Sequence, residues 1–210
     1  MRKIIVAIFL VLTFLCSCSD LNKAIKLKPD DAIKLKSDDA IAHSNRGIAY
    51  AKLGQYQCAI EEYNEAIRLQ PDLAEIYSNR GIAYAKLGQY QRAIDDYNEA
   101  IRLQTDLAEA YNNKGNAYNN LGQYQHAIDN FNKAISLKPE DATLYYNRGI
   151  AYDNLGKLQR AIEDFNEAIH LKPNDALAYT NRRVLILCRA TKSLSAVMCK
   201  KLVHWETANC

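Results

Sequence analysis

The polar residues that recur most regularly in this 210-residue chain are asparagines: Asn45, Asn79, Asn113, Asn147 and Asn181, each 34 positions from the next. A side-chain amide both donates and accepts a hydrogen bond, so a row of amides matches the C=O and N–H of an extended peptide without reading its side chains. The same amide serves equally well to bridge one helix to its neighbour. Around these residues, at helical spacing, lie Ile41, Ile48 and Lys52; Glu75, Ile82 and Lys86; Glu109, Asn116 and Asn120; and Thr143, Ile150 and Asn154. A second recurrent set couples a base to an acid 16 positions later: Arg46 to Glu62, Arg80 to Asp96 and Arg148 to Asp164, with Lys114 and Asn130 in the corresponding third places. On the packed side of a helix such a base needs a partner, so these are expected to be structural ion pairs closer than about 4 Å.

Other chemistry finds no constellation. His43, His126, His170 and His204 are scattered, with no Ser or Cys nucleophile placed beside one. Acidic pairs such as Glu61-Glu62 and Asp95-Asp96 read as ordinary helix faces or as partners of the bases. The six cysteines form neither a C-x-x-C pair nor a Cys/His set with zinc spacing, and Cys58 reads as an exposed, neutral thiol because Arg92, His126 and Arg160 occupy its equivalent places. No metal, no cofactor and no catalysis is expected. With 27 Lys and Arg against 24 Asp and Glu, a net charge of +3, there is no broad basic surface for a phosphate backbone, so nucleic acid is not the expected partner.

The elements that must position these residues follow from glycine. All eight glycines fall into two series spaced by 34: Gly47, Gly81, Gly115 and Gly149, then Gly54, Gly88, Gly122 and Gly156. The string SNRGIAYAKLGQYQ occurs at 44–57 and again at 78–91, with NNKGNAYNNLGQYQ from 112 and YNRGIAYDNLGKLQ from 146. The chain is therefore an array of repeats, read as 40–73, 74–107, 108–141 and 142–175, each a helix, a Leu-Gly break, a second helix and a Pro-Asp or Thr-Asp stop. Tyr77, Gly81 and Tyr84 share one stripe of the first helix, and Ala93, Tyr97 and Ala100 share one stripe of the second. Glycine within a helix costs about 1 kcal/mol relative to Ala, so Gly81 is expected to admit a close helix approach.

These residues, with prolines at 71, 139 and 173, resemble the tetratricopeptide repeat (TPR) family across the four blocks. His43, Thr105 and Leu158 depart from the family's aromatic, Pro and Tyr, and each glycine of the first series follows a base. The resemblance implies an all-α, right-handed α-solenoid of helix-turn-helix units. It also implies a concave groove, lined by the first helices, that binds peptides or partner proteins. The candidate groove residues are Asn45, Lys52, Asn79, Lys86, Asn113, Asn116, Asn120, Asn147 and Asn154. The asparagine series is similar to the ladder in the TPR region of O-linked N-acetylglucosamine transferases. Lys52 and Lys86 are the only cations on the stripe, too few for a carboxylate clamp of the kind found in chaperone-docking TPRs.

The ends differ from the array. Arg2 and Lys3 precede the uncharged Ile4–Leu15, which at 12 residues is short of the roughly 20 needed to span a bilayer. This reads as a signal peptide over 1–17. Leu15-Cys16-Ser17-Cys18 resembles the lipobox of bacterial lipoproteins and implies lipidation of Cys18. Residues 18–39 form a linker with a duplicated AIKLKPDD/AIKLKSDD segment. Residues 176–210 begin a degenerate fifth repeat or capping tail, with Arg183 in the glycine place, apolar residues between 193 and 205, and six bases to one acid. The expected protein is a non-catalytic scaffold or adaptor, anchored by lipid at the cell envelope and binding a protein or peptide. A secreted or intracellular adaptor without the anchor and a self-associating structural array are the alternatives.

Overall fold

The computed structural model describes residues 39–191, in which there are nine helices and no strand. The chain divides into two compact units after Leu69. In the first, α1 (Ala40–Lys52) pairs with α2 (Tyr56–Leu69). The second holds α3 (Ala74–Lys86), α4 (Tyr90–Leu103), α5 (Ala108–Asn120), α6 (Tyr124–Leu137), α7 (Ala142–Asn154), α8 (Leu158–Leu171) and α9 (Ala176–Thr191). Within it each helix packs on the next from α3 to α9, so the helix pairs stack as the repeat spacing requires. The signal peptide, Cys18, the duplicated linker and the apolar positions between 193 and 205 lie outside the described residues.

Local signals set the helix ends. The Asp39 and Asp141 carboxylates accept from the backbone N–H of Ile41 and Thr143, each at 2.9 Å, and Asp175 caps α9 in the same way through Leu177 at 3.1 Å. Each such cap is worth about 1 kcal/mol. At the other end of α3, Gly88 takes φ +72°, the left-handed conformation that a Cβ disfavours, and Gln89 N–H closes on Tyr84 C=O at 2.9 Å. The same closure follows α1, α5 and α7, which is why every first helix turns into its partner alike.

The glycine inside each first helix does a different job. A Cβ on Gly81 would lie 2.7 Å from the Tyr97 ring, and Gly115 and Gly149 stand in the same relation to Phe131 and Phe165. Those rings are at most 1% exposed, and Ala93, Ala100, Ala127, Ala134, Ala161 and Ala168 around them are wholly buried. Small residues bring the paired helices together, and one ring per repeat fills the space. A continuous core then runs from Phe131 through Ala151, Tyr152 and Phe165 to Leu185 of α9. In α9 Arg183 replaces the glycine, and the helix runs 16 residues without the Leu-Gly break.

The ion pairs form as their spacing predicts. In the first unit Arg46 Nε donates to Glu62 at 3.0 Å, and His43 Nδ1 lies 2.7 Å from the same carboxylate. Arg80 grips Asp96 with two bonds of 2.8 and 2.6 Å, and Arg148 grips Asp164 at 2.8 and 2.7 Å. Burial pushes both aspartate carboxyls up, and the guanidiniums pull the other way. Arg148 also donates through Nη1 to Asn132 Oδ1 of α6 at 2.7 Å, so one fork joins three helices. Its guanidinium lies over Tyr145 and Tyr152, at 5.5 and 5.9 Å from the ring centroids.

One expectation is corrected. Cys58 is half-buried and disulfide-bonded, and so is not a neutral exposed thiol; Cys188, which is buried, is disulfide-bonded too. Disulfide formation depends on the approach of two Cβ atoms in space, to which repeat spacing is blind.

Two outcomes test this packing. Gly81→Ala should lose about 1–3 kcal/mol in urea denaturation although Ala is the better helix former, because the added methyl displaces the Tyr97 ring; an unchanged midpoint would show that the ring is not locked. Arg148→Met and Asp164→Leu should each cost about 2 kcal/mol, while the double variant costs clearly less than their sum. Strict additivity would mean that the two side chains do not stabilise each other.

Candidate peptide-binding face

The sequence-predicted face divides between the two units. Asn45 and Lys52 are exposed on α1. On the second unit, α3, α5 and α7 lie in succession, neighbours touching. They carry Asn79 and Lys86, then Asn113, Asn116 and Asn120, then Asn147 and Asn154. Lys86 and Asn120 are exposed, and the other asparagines are half-buried. Ile82 and Ile150 are partly covered because they also lean on the cores beneath α3 and α7. The exposed ends of each row are polar: Glu75 and Glu109 begin the first two and Thr143 the third. Near Thr143 the α6–α7 turn forms an open depression with Lys138, Glu140 and Asp141 on one side and Lys172 on the other.

The amides are not equivalent. Asn147 Nδ2 donates to Asn112 Oδ1 at 2.9 Å, and Asn154 Nδ2 to Asn119 Oδ1 at 3.3 Å. Asn181, almost wholly buried, donates to the Tyr146 hydroxyl at 3.0 Å. All three bonds span 35 positions, one more than the repeat, so each reaches the residue just before its counterpart in the preceding first helix. These asparagines are inter-repeat bridges. Asn120 instead turns back to the Asn116 carbonyl of its own helix at 2.8 Å. Asn79 and Asn113 make no side-chain hydrogen bond among the described residues and keep donor and acceptor available.

The acceptors Asn112, Asn119 and Tyr146 are absent from the sequence-derived set. Their signal was the 35-residue offset, and it is invisible when residues are compared only at the repeat interval. Asn181 Oδ1 is buried with no hydrogen-bond partner. Lys86 makes no ion pair among the described residues, nor does Lys52 in its own unit. Nowhere among the described residues do three or more His, Cys, Asp or Glu groups gather to hold a metal ion, and no described helix is long and apolar enough to cross a membrane.

Comparison with known proteins agrees with this geometry. A tetratricopeptide repeat model matches residues 74–106 and 142–175, and a TPR repeat model matches 49–88 and 115–156. No curated protein matches significantly. Among solved structures, MamA from Desulfovibrio magneticus RS-1 is 26% identical over 80% of this chain and 96% of its own, with a TM-score of 0.67. The first TPR domain of human RPAP3 is 29% identical over 58% of this chain and 96% of its own, with a TM-score of 0.56. YrrB, a TPR protein with an unusual peptide-binding site, shares the fold at 21% identity over 89% of this chain and 92% of its own, TM-score 0.64. Matched over more than half its length, and with helix pairs packed as in those structures, the chain belongs to the tetratricopeptide repeat family, a scaffold for protein interaction.

Proposed function

We propose that this protein is a non-catalytic adaptor that binds an extended peptide or partner protein across α3, α5 and α7, and that a lipid on Cys18 holds it at the bacterial envelope. The carrying observation is the division of labour among the amides. Asn147 and Asn154 spend their donors on setting the spacing of neighbouring helices, and Asn79 and Asn113, at the repeat interval, keep both functions for a ligand backbone. A half-buried amide is well suited to this, because its ligand bond is partly shielded from competing water. Ile82 and Ile150 offer apolar contact beside the amides, and Lys86 gives one positive point at the rim.

Envelope attachment is supported by the apolar amino-terminal stretch and the Leu15–Cys18 site. That Cys58 and Cys188 are disulfide-bonded accords with an oxidising compartment.

A pull-down from membrane extract with residues 19–210 tests the binding face. The partner should be lost when Asn79, Asn113 and Asn147 are all changed to Ala; retention would move the interaction to another surface. With the captured peptide in hand, Asn113→Ala should weaken binding roughly tenfold and change stability by less than about 0.5 kcal/mol. Asn147→Ala should also cost about 1 kcal/mol of stability, through the lost bridge. For the anchor, Cys18→Ser should move the protein out of the membrane fraction, and a variant that stays there would refute lipid attachment.

A further inference from the structure

The base ahead of each packing glycine belongs to a three-part unit that repeat four shows in full. Arg148 meets a carboxylate 16 positions ahead, Asp164, and an amide 16 positions behind, Asn132. Arg80 meets its carboxylate, Asp96, in the same geometry, and Arg182 of α9 reaches its rear amide, Asn166, at 2.9 Å. In repeat three the three places hold Lys114, Asn130 and Asn98. Base and amide remain, and the carboxylate is gone.

Nothing in the described protein replaces it. Asn130 turns its Nδ2 back to the His126 carbonyl of its own helix at 2.7 Å. Lys114 makes no ion pair and no hydrogen bond among the described residues, and its Nζ stands 5.9 Å from the centre of the Tyr118 ring. Its side chain is half-buried, and burial alone pushes the ammonium below its usual range. Asn98 is exposed on α4 with its amide uncommitted. Tyr118 is also stacked by His126, with centroids 5.3 Å apart, where repeats two and four place Arg92 and Arg160 beside Tyr84 and Tyr152.

We propose that repeat three binds a carboxylate side chain of a partner peptide at Lys114, the partner supplying the charge that Asp96 and Asp164 supply within their own repeats. One ammonium whose register partners are neutral amides complements a single negative charge, whereas the neighbouring pairs are already internally neutral. The four repeats carry 14 bases and 18 acids, which opposes a polyanion and favours an isolated Asp or Glu. Lys114 is one residue, about 100° of helix, from Asn113, so this contact is separate from the amide face.

The test is a titration of the full chain, lysine side chains labelled with 13C, with an end-blocked Gly-Gly-Glu-Gly-Gly peptide, which carries a single carboxylate, and with its Gln counterpart as control. Lys114 should shift with the Glu peptide more strongly than exposed Lys86 and Lys133, its ammonium pKa should rise, and the Gln peptide should do neither. Asn130→Asp supplies an internal carboxylate and should weaken the Lys114 response about tenfold, with the lysine pKa raised before any peptide is added. Asn113→Ala should leave the Lys114 response intact, which separates this site from the amide face. A Lys114 signal that does not exceed those of Lys86 and Lys133, or that persists undiminished in Asn130→Asp, would overturn the proposal.

Discussion

Two helices can approach to the point where a ring edge rests on backbone only if the facing residue has no side chain. In this protein that residue is the glycine at the eighth position of each repeat. Gly81, Gly115 and Gly149 receive Tyr97, Phe131 and Phe165 from the partner helix, and the alanines on either side keep the two backbones close along their length. The helices are only 13 or 14 residues long up to α8, too short to persist in water by propensity alone. Their stability comes from this contact and from the next repeat, whose first helix covers what the pair leaves exposed. The turn glycine, fixed at positive φ, sets the direction in which the second helix leaves the first.

Close packing of this kind leaves polar groups at the seams, and they hold the stack in register. Arg148 bonds forward to its own second helix and backward to the preceding one. Asn147 and Asn154 do the same work between first helices. The proposed binding roles fall to what the stack does not consume: the amides of Asn79 and Asn113 on one face, and the ammonium of Lys114 on another. Both are departures from a pattern that is otherwise filled, and both are identifiable because neighbouring repeats show the filled form. Repetition makes the protein its own reference.

Repeat three is the weakest member by this measure. It has Lys in place of Arg, Asn in place of Asp, and His126 in place of the Arg that flanks the tyrosine in repeats two and four. Its ring, Phe131, is as deeply buried as the others, and its alanines are as well packed. The substitutions therefore spare the apolar contact and fall on the charged layer, the layer that can accept a ligand without unfolding the pair.

The sequence by itself determined the repeat, the helix pairs, the glycine–aromatic contact and the three base–acid pairs, because these depend on the 3.6-residue period and on separations of 16 that a helix hairpin brings together. It also placed Asn79 and Asn113 on a shared face. Only the tertiary structure decided that Asn147, Asn154 and Asn181 are bridges, since their acceptors lie at 35 positions and depend on the small displacement of one first helix against the next. Only the tertiary structure decided that Asn130 turns to its own helix rather than to Lys114, and that Cys58 is paired. Period and propensity are properties of one segment, whereas the choice of a hydrogen-bond partner is settled between segments, by which competing donor or acceptor comes within 3 Å or so once the helices are packed.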